Sequence, residues 1–450
     1  MPQVVIVGAG LTGLSAAYHF EELGFSDYLL VEREDEVGGL ARTLELDGFA
    51  FDYSIHILYT ADPYAGELLQ RLLDGNLVRQ ARRSFCYSRG VYTEYPYQAH
   101  TFGLPAEVIA DNILGLVEAI YDRDAAAPRN FEEWIERTFG RGIARHFMLP
   151  YNRRVWAWDL AEMGFDWIAE RVPRPRLEDV ILGALQPPTQ AYGPNREFWY
   201  PERGGIEALP RALAREIPAS RLRLETRVTA IDLEAKRLTL DGGETLAYER
   251  LISTLPLPRL LALAGARALD DERVRAALRR LQHNVVHTVN IGLRGATLAD
   301  DALRHWVYLP EERTVFHRIS YPHRFSASMA PPGCCSIQAE ISTSQKRPLE
   351  RATLVAQTLE GLVDIGLLDA REARPAAEGG RVLVANIHTL DPAYIIYHLE
   401  HRADLATLEA FVAAHDVHSR GRFGQWEYFN MDHSILSGRD AAHALSGSSS

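Results

Sequence analysis

The chain has 450 residues, 47% of them hydrophobic and 24% charged, which is long enough for two or three domains around a large core. A formal net charge of −12 excludes a mainly nucleic-acid-binding protein, because phosphate backbones need a basic footprint. Lysine occurs only at Lys236 and Lys346, so any phosphate gripped by a side chain here is gripped by arginine, whose planar fork holds it bidentately.

The first elements in the chain are the most informative. "VVIVGAG" reads as a buried strand ending in glycine, "LTGLSAAYHFEEL" as a helix and "YLLVERE" as a second buried strand. This βαβ unit contains Gly8-x-Gly10-x-x-Gly13, with Leu11 and Thr12 in the first turn of the helix and Glu32, then Arg33, closing the second strand. The spacing predicts a dinucleotide site. One glycine makes the tight turn, one lets the backbone approach a pyrophosphate, and one allows close helix–strand packing. The helix N-terminus offers free N–H groups to phosphate, and Glu32 suits a ribose hydroxyl pair.

"VGGLARTLELDGFAFDYS" follows, with a second glycine pair at Gly38 and Gly39 and then Leu40 and Ala41. It resembles the FAD fingerprint of glutathione-reductase-like flavoproteins of the amine oxidase branch, and no second G-x-G-x-x-G is present. The resemblance therefore implies FAD. Next, "FAFDYSIHILYT" sets one histidine, His56, in an apolar run; it reads either as a hydrogen-bonded core histidine or as a group over something reactive.

From about residue 104 to 185 apolar residues recur at helical spacing, and "PPTQAYGPN" (187–195) closes that section as a loop. Alternation over 221–257 with a turn at Asp241-Gly242-Gly243 predicts a β-meander leading into a buried strand. A C-terminal helix follows, with Asp432 as its expected N-cap, and "SGSSS" is expected to be a disordered tail. The three cysteines (Cys86, Cys334, Cys335) have neither metal spacing nor a disulfide framework, so no metal is expected. With no apolar run long enough for a membrane span, the expected setting is soluble and cytoplasmic.

Five blocks are similar to UDP-galactopyranose mutases of the eukaryotic-like branch. They are "FMLPYNRRVWAWDLAEMGFDWIAERVPRP" (147–175), "YGPNREFWYPERGG" (192–205), "WVYLPEERTVFHR" (306–318), "SRGRFGQWEYFNMDHSILSG" (419–438) and "EYPYQ" (94–98). The resemblance implies an α/β chain: a glutathione-reductase-like FAD-binding Rossmann domain with a helical insert and an antiparallel-sheet substrate domain. Residues 1–90, 196–265 and 415–445 would form the FAD domain, 91–195 the helical domain, 266–414 the substrate sheet with its helices, and 446–450 the tail.

It also implies a reaction without net oxidation. Reduced flavin N5 attacks the anomeric carbon of UDP-galactopyranose or a related UDP-hexopyranose, UDP leaves, and it returns after the sugar has reclosed as a furanose. Arg171 and Arg318 match the diphosphate arginines, the lesser alternative for Arg171 being a helix salt bridge. Tyr308, Tyr394 and Tyr428 match tyrosines on the diphosphate, with Trp306 beside them. Tyr95 and Gln98 resemble the uracil contacts, Asn152 and Trp156 residues near the ribose and uridine, and Asn195 a group near sugar and flavin.

Beyond the glycines and Glu32, the implied flavin contacts include Ser54, Ile55, His56, Val228, Asn430, Met431 and Ser434. Arg422 reads either as a flavin contact or as structural. An external reductant is implied, NAD(P)H being one candidate; the oligomeric state is left open. The family has glycine two places before its loop histidine, whereas this chain reads Ser54-Ile55-His56, which predicts a stiffer loop. Two rival readings remain: an oxidase or desaturase of the amine oxidase or protoporphyrinogen oxidase type, and a flavoprotein with no enzymatic role.

Overall fold

The computed structural model describes residues 2–122, 126–168, 172–187, 196–265, 270–298 and 303–447. Val4–Val7 is the central strand of a five-stranded parallel sheet. Tyr28–Val31 and Leu222–Arg223 lie on one side of it, Arg250–Ser253 and Val417–Ser419 on the other. Val4, Val5, Ile6 and Val7 are all buried, as expected for a strand covered on both faces. The helix Leu11–Glu22 follows the central strand and is crossed by the C-terminal helix Met431–Ser446. The crossing is tight: a Cβ on Gly438 would stand 2.3 Å from the Thr12 carbonyl, and Ser15 Oγ donates to the Ile435 carbonyl at 2.6 Å.

The helical section comprises Ala106–Tyr121, Phe131–Ile143, Leu149–Trp156 and Leu177–Leu185, with a π-helical turn at Ala144–Met148 just before the "PYN" segment. The meander is present as Val228–Asp232, Arg237–Leu240 and Thr245–Ala247. A seven-stranded sheet forms the other wall of the molecule, in the order Val382–Leu390, Val285–Arg294, Cys334–Thr343, Arg318–Ser320, Trp306–Tyr308, Ser84–Ser88, Val91–Glu94.

Two boundaries differ from the sequence reading. A division at residue 90 cuts a hairpin, because Ser84–Ser88 and Val91–Glu94 belong to the large sheet, joined to it through Trp306–Tyr308. That pairing spans more than two hundred residues and leaves no local trace. The last helix runs through Ser446, one residue into the stretch read as a tail, and 448–450 lie outside the described residues. Among the described residues, no helix is long and apolar enough to cross a membrane, and no cluster of three metal-ligating side chains occurs.

Candidate active site

The glycine fingerprint forms a cradle. Gly8 has φ +100°, and a Cβ on Gly13 would lie 1.9 Å from the Gly8 carbonyl oxygen. The second glycine pair faces the first: Gly38 N donates to the Ala9 carbonyl at 2.9 Å, and a Cβ on Gly39 (φ +58°) would be 3.1 Å from Gly10 Cα. Glu32 lies at the same edge, where Oε2 accepts from Ala9 N at 2.7 Å and Oε1 from Glu34 N at 3.1 Å. The helix that opens at Leu11 and Thr12 carries no acidic residue in its first turn, which suits an anion at its N-terminus. Ala41 N closes the second loop by donating to the Gly38 carbonyl at 3.0 Å, with Leu40 packed against the buried cluster of Val286, Leu390 and Ala393. Arg33 points outward and pairs with Glu34, and Val228 is buried at the start of the meander.

Further along the chain, Asn430 rather than Asp432 holds the N-cap position of the C-terminal helix, without a side-chain capping bond. Asp432 falls inside the first turn, where its carboxylate accepts from His433 N at 2.8 Å. Met431 begins the helix, and Ser434 Oγ donates back to the Asn430 carbonyl at 3.2 Å. Arg422 is held by the carbonyls of Phe429 (2.7 Å) and Ala393 (3.1 Å) and lies over Tyr394 and Tyr428. Its Nε and the Nδ1 of His56 are buried and bond to no protein atom. A two-loop glycine cradle, an anion-ready helix end and orphaned buried nitrogens fit a flavin dinucleotide.

His56 sits half-buried on the loop after Phe49–Asp52. Desolvation, followed by the positive charges of Arg422 and Arg318, pushes its imidazole down to about 4, so the ring is neutral at physiological pH. His305, His323 and His401 are likewise lowered to about 4 and His317 is held well below its ordinary value, burial being the largest cause in each.

The folded state refuses protons that the unfolded chain accepts near 6.5. Stability is therefore full above that value and is lost as pH falls from about 6.5 towards 4, by up to about 1.4 kcal/mol per pH unit for each such histidine. Buried Asp52, raised to about 6, and Glu94, Glu207 and Glu409, also raised by burial, work in the opposite direction, but the lowered histidines outnumber them. Melting temperature measured against pH should decline below about pH 6.5.

Arg318 extends from the strand Arg318–Ser320 with its side chain 19% exposed. Its Nε and Nη2 donate to Glu340 Oε2 at 3.0 and 2.5 Å. Burial lowers its affinity for the proton, but Glu340 and the surrounding tyrosines outweigh that and hold it firmly charged. Tyr151, Tyr308 and Tyr394 surround this guanidinium, with Tyr308 ringed by Tyr95 at 5.0 Å and Tyr151 at 5.4 Å. Tyr394 stacks with Tyr428 at 6.3 Å and meets Trp156 edge-on at 5.7 Å, so one aromatic wall runs to Arg422.

Several residues from the sequence reading are turned to other partners. Asn152 Oδ1 accepts from Trp156 Nε1 at 3.2 Å while its Nδ2 donates to the Met148 carbonyl, so the two residues support each other one helical turn apart. Buried Gln98 donates to the Pro173 carbonyl at 2.9 Å. Trp306 packs against Phe198 and Phe325 beneath Tyr308. Arg171 and Asn195 lie outside the described residues.

The sequence reading missed Tyr151, although it adjoins Asn152 in the same motif. It also missed Tyr397, whose hydroxyl accepts from Tyr428 N at 2.5 Å. A third omission is Arg154, which is 2% exposed and sends its guanidinium into the loop between Tyr308 and Arg318. There it donates to the carbonyls of Leu309 (2.7 Å), Glu311, Thr314 (2.6 Å) and Phe316. Burial, then Arg347, lowers its pKa to about 9. Arg154→Met would take that donor from the Leu309, Glu311 and Thr314 carbonyls, while Phe316 keeps Thr314 Oγ1, costing on the order of 3 kcal/mol of stability in denaturant unfolding. Arg154→Lys should recover part of that loss.

Comparison with known proteins places this architecture. The family model for flavin containing amine oxidoreductase matches residues 11–364. Among curated proteins, a phytoene dehydrogenase of Streptomyces griseus is 27% identical over 372 residues, covering 73% of this chain and 70% of that protein. A protoporphyrinogen oxidase of Macaca fascicularis is 24% identical over 483 residues, covering 99% and 98%. Among solved structures, reduced UDP-galactopyranose mutase superposes with a TM-score of 0.92 at 29% identity, over 99% of this chain and 94% of that one. A putative protoporphyrinogen oxidase from Exiguobacterium shares the fold with a TM-score of 0.73 at 18% identity, over 99% and 98% of the two chains. The cradle and the extent of these matches lead to one conclusion: this chain belongs to the flavin-containing amine oxidoreductase family and takes a flavin cofactor.

Proposed function

We propose that the chain is an FAD-dependent nucleotide-sugar mutase that interconverts UDP-galactopyranose, or a related UDP-hexopyranose, with its furanose form without net redox change. The observation that carries this reading is Arg318, a guanidinium fixed by a buried carboxylate and ringed by tyrosines beside the flavin-side loop. An apolar polyene has no use for such a group. The superposition on reduced UDP-galactopyranose mutase supports the same reading.

Bound FAD, when reduced, supplies a nucleophilic nitrogen to the anomeric carbon of the sugar. The chain's own groups do the rest. Arg318 keeps three N–H bonds beyond those used by Glu340, and they stabilise the negative charge that builds on the departing diphosphate. Tyr308, Tyr394 and Tyr428 would donate their hydroxyls to the same oxygens. Burial holds Tyr394 up at about 12 and Tyr308 also above its ordinary value, so these phenols stay protonated as donors. By the resemblance of their sequence blocks, Arg171 and Asn195, which lie outside the described residues, would serve the diphosphate and the sugar. Tyr95 offers a stacking face for uracil, and Gln98, Asn152 and Trp156 shape the uridine end through the bonds they make with the protein. Neutral His56 flanks the flavin without adding positive charge to it. NAD(P)H is the proposed source of reducing equivalents.

Dithionite reduction under anaerobic conditions followed by UDP titration tests the reading. A flavin spectral change on UDP binding, with furanose formed from UDP-galactopyranose, is the expected result. No response to UDP, together with oxidation of a porphyrinogen, a polyene or an amine, would replace it with the oxidase or desaturase reading that the curated relatives favour.

A further inference from the structure

The loop Asp52–His56 departs from the glycine-built form expected of it, yet neither Ser54 nor Ile55 has a positive φ. Its backbone is instead fastened from below by side chains of the large sheet. Gln338 Nε2 donates to the Asp52 carbonyl at 2.6 Å, Thr288 Oγ1 donates to the Tyr53 carbonyl at 3.1 Å, and Ile55 N donates to Glu340 Oε1 at 3.4 Å. These groups come from two neighbouring strands whose register places Thr288 opposite Glu340 and Asn290 opposite Gln338. On the other side Glu340 stands opposite Arg318. One row across three strands therefore reads Thr288, Glu340, Arg318, with Glu340 in the middle and 1% exposed.

The two oxygens of that carboxylate have different tasks: Oε2 takes both Arg318 donors, and Oε1 takes the loop amide. We propose that Glu340 is a positioning residue that couples the anion site at Arg318 to the flavin-side loop, so that filling the first tightens the second. A buried carboxylate has only these groups to compensate it, so any shift of the guanidinium towards an incoming anion is transmitted to Oε1 and the Ile55 amide. The Ser54-Ile55 sequence suits this arrangement: a branched, non-glycine backbone moves little by itself and follows its tether. The anion half of the inference rests on the reading of Arg318 given above; the tether half does not.

The test is amide hydrogen exchange on the FAD-loaded protein, wild type against Glu340→Gln. Glutamine is nearly isosteric but presents one donor and one acceptor, so it cannot satisfy both Arg318 and Ile55 N. Without ligand, exchange across residues 53–57 is expected to quicken by at least about tenfold in the variant, the change for one lost charge-assisted hydrogen bond. In wild type, UDP is expected to slow exchange in the same segment; in Glu340→Gln, UDP at saturating concentration should leave it unchanged.

Equal ligand-free exchange in the two proteins would overturn the tether, and UDP slowing that persists in the saturated variant would overturn the coupling. A wild type that fails to bind UDP would sink the mutase reading and the coupling with it, while the ligand-free comparison still decides the tether. If Glu340→Gln does not fold, Glu340→Asp serves in its place. It keeps the charge on Arg318, is too short to reach Ile55 N as well, and should quicken the same exchange.

Discussion

Replacing Arg318 with alanine is expected to cut turnover of UDP-galactopyranose by about 10²–10³-fold, the value of one preorganised donor on a developing anion, while FAD remains bound. The dinucleotide cradle lies on the parallel sheet and Arg318 on the large mixed one, so flavin content should be unaffected. The substitution also strands Glu340, whose only cationic partner is Arg318 among the described residues, and breaking a buried pair costs about 3–5 kcal/mol. The two effects separate in the double variant Arg318→Ala/Glu340→Gln, which removes the uncompensated charge. Its melting temperature should move back towards wild type while turnover stays low. Arg318→Lys keeps the charge but loses the planar fork, and should fall between wild type and alanine in turnover with little change in folding. Near-normal turnover in Arg318→Ala would take this residue out of the reaction, measured as furanose formed per reduced flavin.

Gly10→Ala is the second substitution with a large expected effect, and it acts on the cofactor alone. A Cβ on Gly10 has no protein atom nearer than Gly39 Cα at 3.9 Å, so the folded chain accommodates a methyl group there. That methyl would occupy the space between the two glycine loops, where the pyrophosphate backbone must approach. The variant should fold with a wild-type melting profile in the apo form and bind FAD at least about tenfold more weakly, the scale of one overpacked contact. Gly13→Ala is the contrast: its Cβ would meet the Gly8 carbonyl at 1.9 Å, a backbone atom that cannot step aside, so the fold itself should suffer. If Gly10→Ala retained full FAD affinity, measured by flavin fluorescence on titration into apo protein, the cradle would not be where the dinucleotide lies.

The local elements were legible because each of their signals lies in a contiguous stretch. The strand–glycine–helix unit around Gly8-x-Gly10-x-x-Gly13, the second pair at Gly38 and Gly39, the helical section after residue 104 and the meander at Asp241-Gly242-Gly243 all appear where the sequence reading placed them. Backbone conformation and close approach at a glycine are local demands, and a sequence states local demands directly. The C-terminal cap lies two residues before the expected one: Asn430 holds the N-cap position without a side-chain capping bond, and Asp432, an equally good cap former by type, falls in the first turn.

What the sequence by itself determined is thus the cofactor class, the order of helical and strand sections, and the presence of a histidine loop built without glycine. Only the tertiary structure decided which side chains face one another. It set Ser84–Ser88 beside Trp306–Tyr308, turned Asn152 towards Trp156, buried Arg154 in the loop before Arg318, and lined up Thr288, Glu340 and Arg318 across three strands. Strand register is chosen by pairing between segments far apart in the chain, and a slip of one residue would turn Glu340 to the opposite face of the sheet. No local pattern carries that choice, which is why Glu340 was invisible in the sequence and stands between Arg318 and Ile55 in the fold.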